Sequence, residues 1–268
     1  ISGLQRRLLK DFIGSQPHVT VKAREKEPKL LSEINQEKLG SSALAITTKQ
    51  KQALQRQDID QVKLLQKQLI SFHGIIAIAP SVRGQAFVIR GARRFGVTVS
   101  GAIPAEIEPV VNLRENIVTG RWLEIGPEDV VIGYKLASDA GIKLGDKVGI
   151  QSQEGITRTM TVAGIFQTGQ NVTDLGSIFV TLRTGQNLLK TAQNVSSIQI
   201  KLTDPFTANE VADRISDALH YKTESWMREQ AQFMNGLRAQ NSSSLMISAF
   251  ALLASAFSIA SVLIVSIL

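Results

Sequence analysis

Residues 130–166 read VVIGYKLASDAGIKLGDKVGIQSQEGITRTMTVAGIF. The run opens on a short apolar strand, Val130–Ile132, closed by Gly133. Tyr134–Ala140 reads as a helix. Gly141-Ile-Lys-Leu-Gly145-Asp146-Lys147 then has the chemistry of a tight turn leading into a strand, not of a phosphate cradle. Strands follow at Lys147–Gln151 and Thr157–Ile165, and the link between them, QSQEGI, is short. The texture is that of a β-rich unit with an occasional helix.

The same texture extends outward. Strands are expected at 18–23, 75–79, 86–90, 97–100, 177–180 and 197–202, and helices at 184–191 and 207–219. The second of these helices opens Thr207-Ala-Asn-Glu210, a capping box with Thr207 as the cap. Residues 28–72 are polar and helical in pattern, broken at Gly40–Ser42, with Leu30, Leu31, Ile34, Leu39, Leu54, Val62, Leu65 and Leu69 as the apolar positions. The resulting class is α+β.

The two ends differ from the middle. From Leu245 the chain reads LMISAFALLASAFSIASVLIVSIL, 24 residues in which serine is the only polar type. About 20 apolar residues suffice to cross a bilayer as a helix, and the small residues in the run suit close helix–helix approach. Ser225–Asn241 is helical in pattern, so one helix is expected from Ser225 through a stalk into the membrane. Trp226 and Phe233 would anchor it at the interface, where aromatic rings concentrate. Met246, Phe250, Leu253 and Phe257 share one face at i, i+4, i+7 and i+11 and would meet lipid or cargo. At the other end Leu4, Leu8, Phe12 and Ile13 line one face of a membrane-proximal helix. It should stop near Gln16, because Pro17 disfavours helix at the residue before it.

Several chemistries are excluded. The chain has no cysteine, which removes thiol catalysis, disulfides and zinc ribbons. No Walker A loop and no G-x-S-x-G elbow occurs. The three histidines, His18, His73 and His220, are scattered outside any metal-ligand spacing. Net charge is +7 and aromatics are 5%, but the basic residues are spread out and do not interleave with aromatics. Nucleic acid is therefore not an expected partner. No catalytic residue, cofactor or metal is expected.

Ordered motifs add a resemblance. Gly120-Arg-Trp-Leu123, Val130-Val-Ile-Gly133-Tyr-Lys-Leu-Ala137, Ala140-Gly-Ile-Lys-Leu-Gly145-Asp146-Lys-Val148, Val162-Ala-Gly-Ile-Phe166 and Thr168-Gly169 follow one another. Gln16-Pro-His-Val-Thr-Val21 precedes them, as does Val99-Ser-Gly-Ala-Ile-Pro104. Together they resemble the periplasmic core domain of the LolC/LolE, MacB and FtsX superfamily of ABC transporter permeases.

The resemblance implies a two-lobed domain. A porter-type α/β lobe would take 17–90 and 193–224, and an inserted β-rich lobe 91–192. Residues 1–16 would form the membrane-proximal helix, and 225–268 the stalk and transmembrane helix. Gly133, Gly145, Asp146 and Gly164 would serve folding at turns and close approaches, not chemistry.

It also implies an inner-membrane protein with most of this chain in the periplasm. A cytoplasmic ABC ATPase on a separate chain and a second permease copy, in a homo- or heterodimer, would be partners. Membrane lipid, a lipoprotein cargo and a periplasmic protein complete the expected set. The function implied is lipoprotein release from the inner membrane. The alternative is a MacB- or FtsX-like subunit that transmits motion to a periplasmic adaptor or a cell-wall hydrolase. One departure stands out: in LolC a long hairpin between the strands corresponding to 147–151 and 157–165 hooks the carrier, and here that link is too short for an arm.

Overall fold

The computed structural model describes residues 16–23 and 58–229, with positions 14, 231, 250–252, 254–255 and 257. Ten strands are described. They are β1 (Val19–Lys22), β2 (Ile75–Arg90), β3 (Arg93–Ala102), β4 (Ile117–Gly120), β5 (Asp129–Gly133), β6 (Lys147–Ser152), β7 (Thr157–Phe166), β8 (Ser177–Thr181), β9 (Ser197–Leu202) and β10 (Lys222–Ser225). The described helices are α1 (Val62–Ile70), α2 (Pro104–Val111), α3 (Tyr134–Ala140), α4 (Asn171–Gly176), α5 (Leu182–Leu188), α6 (Ala208–Leu219) and α7 (Trp226–Glu229). The mixed content agrees with the α+β class.

Strand β2 organises the fold. Its first part, Ile75–Ser81, pairs with β9, and its second part, Ser81–Arg90, pairs with β3. Sequence reading expected two strands here, because Pro80 and Gly84 look like punctuation. The strand continues because it changes partners at Ser81. Pro80 lies where β3 has not yet begun, and a proline in a sheet is tolerated where no ladder donor is needed.

The first part of β2 closes an open sheet of order β10-β1-β9-β2. All three pairings in it are antiparallel. The units β1–α1–β2 and β9–α6–β10 therefore interleave as two split β–α–β motifs. The right-handed rule for such crossovers puts α1 and α6 on one face. That face has an aliphatic core, with Val19, Val21, Ile198 and Ile200 fully buried with Leu65, Leu69, Val211 and Ile215.

The second part of β2 belongs to a closed circuit. β2 pairs β3, β3 pairs β8, β8 pairs β5, β5 pairs β7, β7 pairs β6, and β6 returns to β2 at Ala86–Ile89. Closing a sheet on itself removes its edges. Alternate residues point inward, so β6 reads exposed–buried through Val148, Ile150 and Ser152. β4 is added on the last residues of β7.

Helix α2 seals the junction. Ile107 and Val110 pack with Ala79, Ala102, Trp122, Val131 and Phe166. Phe179 meets Trp122 and Phe166 edge-on, at 5.7 and 5.4 Å between ring centroids. The Trp122 Nε1 donates to Glu108 Oε2 at 2.7 Å. The same carboxylate accepts from the Arg114 amide at 3.0 and 3.2 Å.

Local signals worked unevenly. Tyr134–Ala140 is a helix as expected, and Gly141 ends it in the left-handed conformation at φ 64°. The capping box at Thr207 is not made, since Thr207 gives no side-chain cap. Its hydroxyl instead donates to the Asp204 carbonyl, and Asp204 Oδ1 accepts from the Phe206 amide. Of the helical region expected at 28–72, Val62–Ile70 is described as α1 and 24–57 lie outside the described residues.

Candidate functional site

The base of the open sheet is where the chain enters and leaves. Val19 pairs with Ser225 and Lys22 with Lys222, so both chain ends of the sheet depart from one end of it. His18 is 3% exposed, and its Nδ1 accepts from the Leu202 amide at 3.1 Å. The Ser225 hydroxyl donates to the Asn209 side chain on α6, just before α7 begins at Trp226.

Lys201 on β9 is the group that ties this base together, and sequence reading missed it. Its ammonium donates to three backbone carbonyls: Gly14 at 2.8 Å, Gln16 at 3.2 Å and Val110 at 3.0 Å. Carbonyls at helix ends carry partial negative charge and lack intrahelical donors. One lysine thus joins the segment entering β1 to the last turn of α2. The only trace in sequence is a lysine in the strand SIQIKL.

Burial lowers the Lys201 pKa from 10.5 to about 8. Between those two values the unfolded chain binds more protons than the folded one, so this group makes stability rise with pH there. Below about pH 8 its contribution is flat, with lysine charged in both states. Urea midpoints measured from pH 7 to 10 are expected to climb in the parent and to climb less in Lys201→Met. Equal slopes would refute the assignment.

At the C-terminal end, described positions are sparse. Phe250, Leu252 and Phe257 are 70%, 72% and 74% exposed, and they lie in helix. Met246, Leu253 and Phe233 lie outside the described residues. Trp226, the other expected anchor, is 2% exposed. Among the described residues no helix is long and apolar enough to cross a membrane, and most of the 245–268 run is outside them.

The turn residues each have a distinct geometry. A Cβ on Gly133 would stand 2.1 Å from the Asp174 carbonyl oxygen. On Gly164 it would stand 2.5 Å from the Arg121 carbonyl oxygen. Both glycines permit close backbone approach. Gly145 has open space around it but φ +85°, the left-handed region. Gly145→Ala is accordingly expected to cost about 1 kcal/mol, a backbone penalty without a steric one, measurable as a small drop in urea midpoint. Asp146 Oδ2 accepts from Arg90 Nη2 at 2.9 Å and from the Lys143 amide at 3.1 Å. It pins the β2–β3 hairpin to the turn before β6.

A further acid is structural by its contacts. Asp174, 4% exposed, accepts from the Thr168 amide and hydroxyl and from the Gly169 amide, which orders the loop after β7. Among the described residues no three His, Asp or Glu side chains converge as a metal site. The link between β6 and β7 is a compact turn over 153–156, closed by Ser152 N–H to Ile156 O at 2.9 Å, with Gly155 at φ 83°. It carries no arm.

Known proteins resemble this chain in sequence and in fold. The chain is 28% identical over 146 residues to a LolC lipoprotein-releasing system transmembrane protein of Neisseria meningitidis, covering 50% of this chain and 35% of that one. It is 26% identical over 179 residues to LolC of Xylella fastidiosa, covering 62% and 43%. The chain thus spans less than half the length of these relatives. The crystal structure of the periplasmic region of MacB from Actinobacillus actinomycetemcomitans superposes with a TM-score of 0.50 at 12% identity, over 85% of this chain and 96% of that one. This is a likeness of fold. Residues 3–218 match the profile described as the MacB-like periplasmic core domain, and the chain belongs to that family.

Proposed function

We propose that this chain is the extracytoplasmic part of an ABC transporter permease. It would convert motion at the inner membrane into movement of a periplasmic domain, with ATP hydrolysed on a separate cytoplasmic chain. The observation that carries the reading is the base geometry. Both chain ends of the sheet leave from one end, and one of them leads toward the uncharged 245–268 run. The family membership supports it. The porter-like lobe, 17–90 with 193–224, would correspond to the open sheet, and the inserted lobe, 91–192, to the closed strand circuit, with β2 in common. A second permease copy would complete the assembly.

The cargo we propose is a lipoprotein, on the strength of the two LolC relatives. Met246, Phe250, Leu253 and Phe257 would face lipid or acyl chains, and Phe233 would lie at the interface. One observation favours a second reading. The compact 153–156 turn offers no arm for hooking a carrier, which suits a MacB- or FtsX-like subunit acting on an adaptor or hydrolase.

Co-purification of the full-length protein in nanodiscs, with mass spectrometry of everything bound, separates these readings. An ATPase together with a triacylated lipoprotein is expected. An ATPase with an adaptor or hydrolase and no lipoprotein supports the second reading. Recovery of no ATPase would sink both.

A further inference from the structure

The open sheet has an outer edge at β2. On the side away from β9, no described strand pairs with β2 until Ser81, where β3 begins. Among the described strands Ile75–Pro80 is therefore an edge segment, open over Ile75–Ile78 and buried at Ala79 and Pro80. A proline without an N–H and a register irregularity between Ile75 and Ala77 both interrupt it, devices that discourage indiscriminate edge pairing.

Helix α1 runs beside this edge. Between them lies an open groove of about 490 Å³. Lys63, Gln66, Lys67 and Ile70 form its helical wall, at the spacing of one helix face. Ile76 and Ile78 contribute from the strand. Ile70 and Ile76 are 70% and 63% exposed, unusual for large aliphatic side chains standing together. No acidic residue lines the groove. Lys63 and Lys67 are exposed and make no ion pair with the described residues.

These features select one kind of occupant. An exposed edge beside a helix is the geometry of strand addition, where main-chain bonds give affinity and alternate side chains give specificity. A second copy placed edge to edge would bring two lysine pairs together, and like charges in juxtaposition disfavour that pairing. We propose that the α1–β2 groove binds an extended segment of a partner protein as an added strand, with apolar side chains on Ile70 and Ile76 and acidic side chains at Lys63 and Lys67. This proposal uses neither of the paired chain ends on which the transporter reading rests, and it stands or falls independently of that reading.

The test uses full-length protein in nanodiscs and fluorescence anisotropy of two short dye-labelled peptides. One alternates valine and glutamate, the other valine and lysine. The glutamate peptide is expected to bind saturably. Lys63→Glu with Lys67→Glu should weaken it at least about tenfold, the scale of a lost charge-assisted contact, and should shift preference to the lysine peptide. Ile76→Asp, at an exposed position, should also abolish binding while the far-ultraviolet spectrum is unchanged. Absence of saturable binding, or binding indifferent to charge reversal, overturns the proposal. So does self-association of the parent protein that Ile76→Asp abolishes, since it would assign the edge to a second copy.

Discussion

Trp122→Ala is expected to lower the unfolding free energy by about 4 kcal/mol, in the range for truncating a buried aromatic. The indole is 3% exposed. It fills the space between α2 and the strand circuit, and it is the edge-on neighbour of Phe179, which in turn meets Phe166. Truncation would leave a cavity there and remove a donor from Glu108. Trp122→Phe is the milder companion. It keeps a six-membered ring in the site but loses the Nε1–H and part of the indole's volume, so about 2 kcal/mol is expected. Glu108 retains the Arg114 amide, which limits the cost. Urea unfolding followed by far-ultraviolet circular dichroism measures both. A loss below about 1 kcal/mol for Trp122→Ala would show that the site collapses freely, contrary to a packed junction.

Gly133→Ala is the second large effect. The added methyl would overlap the Asp174 carbonyl oxygen, carbon and Cα at 2.1, 2.6 and 2.7 Å. The obstacle is backbone, so no side-chain rotation relieves it. Either β5 or α4 must shift, and α4 is held by the bonds of Asp174 to Thr168 and Gly169. A cost of about 3 kcal/mol is expected, at the upper end for overpacking. Gly149→Ala is the control, because its Cβ would meet Ile89 Cβ at an ordinary 3.5 Å. Its effect should stay within about 1 kcal/mol. Near-equal losses for the two variants would mean that glycine flexibility, not the close approach, sets the cost at 133.

The sequence and the fold agree where the determinants are local. Gly133 and Gly141 bracket α3, and Gly145 and Gly155 mark turns that are present. Disagreement begins where a distant partner decides. Pro80 and Gly84 argue for a break in β2, yet β9 on one flank and β3 on the other keep it extended. Helix α2 was not expected, and it forms with Pro109 inside it. The strand circuit depends on Ala86–Ile89 finding Gly149–Ser152, a pairing that no periodicity encodes. Lys201 was invisible for a similar reason. Its acceptors are carbonyls, which every residue has, and only the fold gathers three of them around one ammonium.

The pairing of Val19 with Ser225 has a mechanical consequence. A force that drew the entering and leaving segments apart sideways would load the β1–β10 ladder at its first rung. The four residue pairs from Val19–Ser225 to Lys22–Lys222 would then open one after another, like a zipper, at low force. A force that moved both segments together would spread over all rungs at once and displace the sheet as a rigid lever. The long strand β2 would carry that displacement about 50 Å, at roughly 3.3 Å for each of its 16 residues. Any device that drives this domain from its base must therefore move the two segments in step.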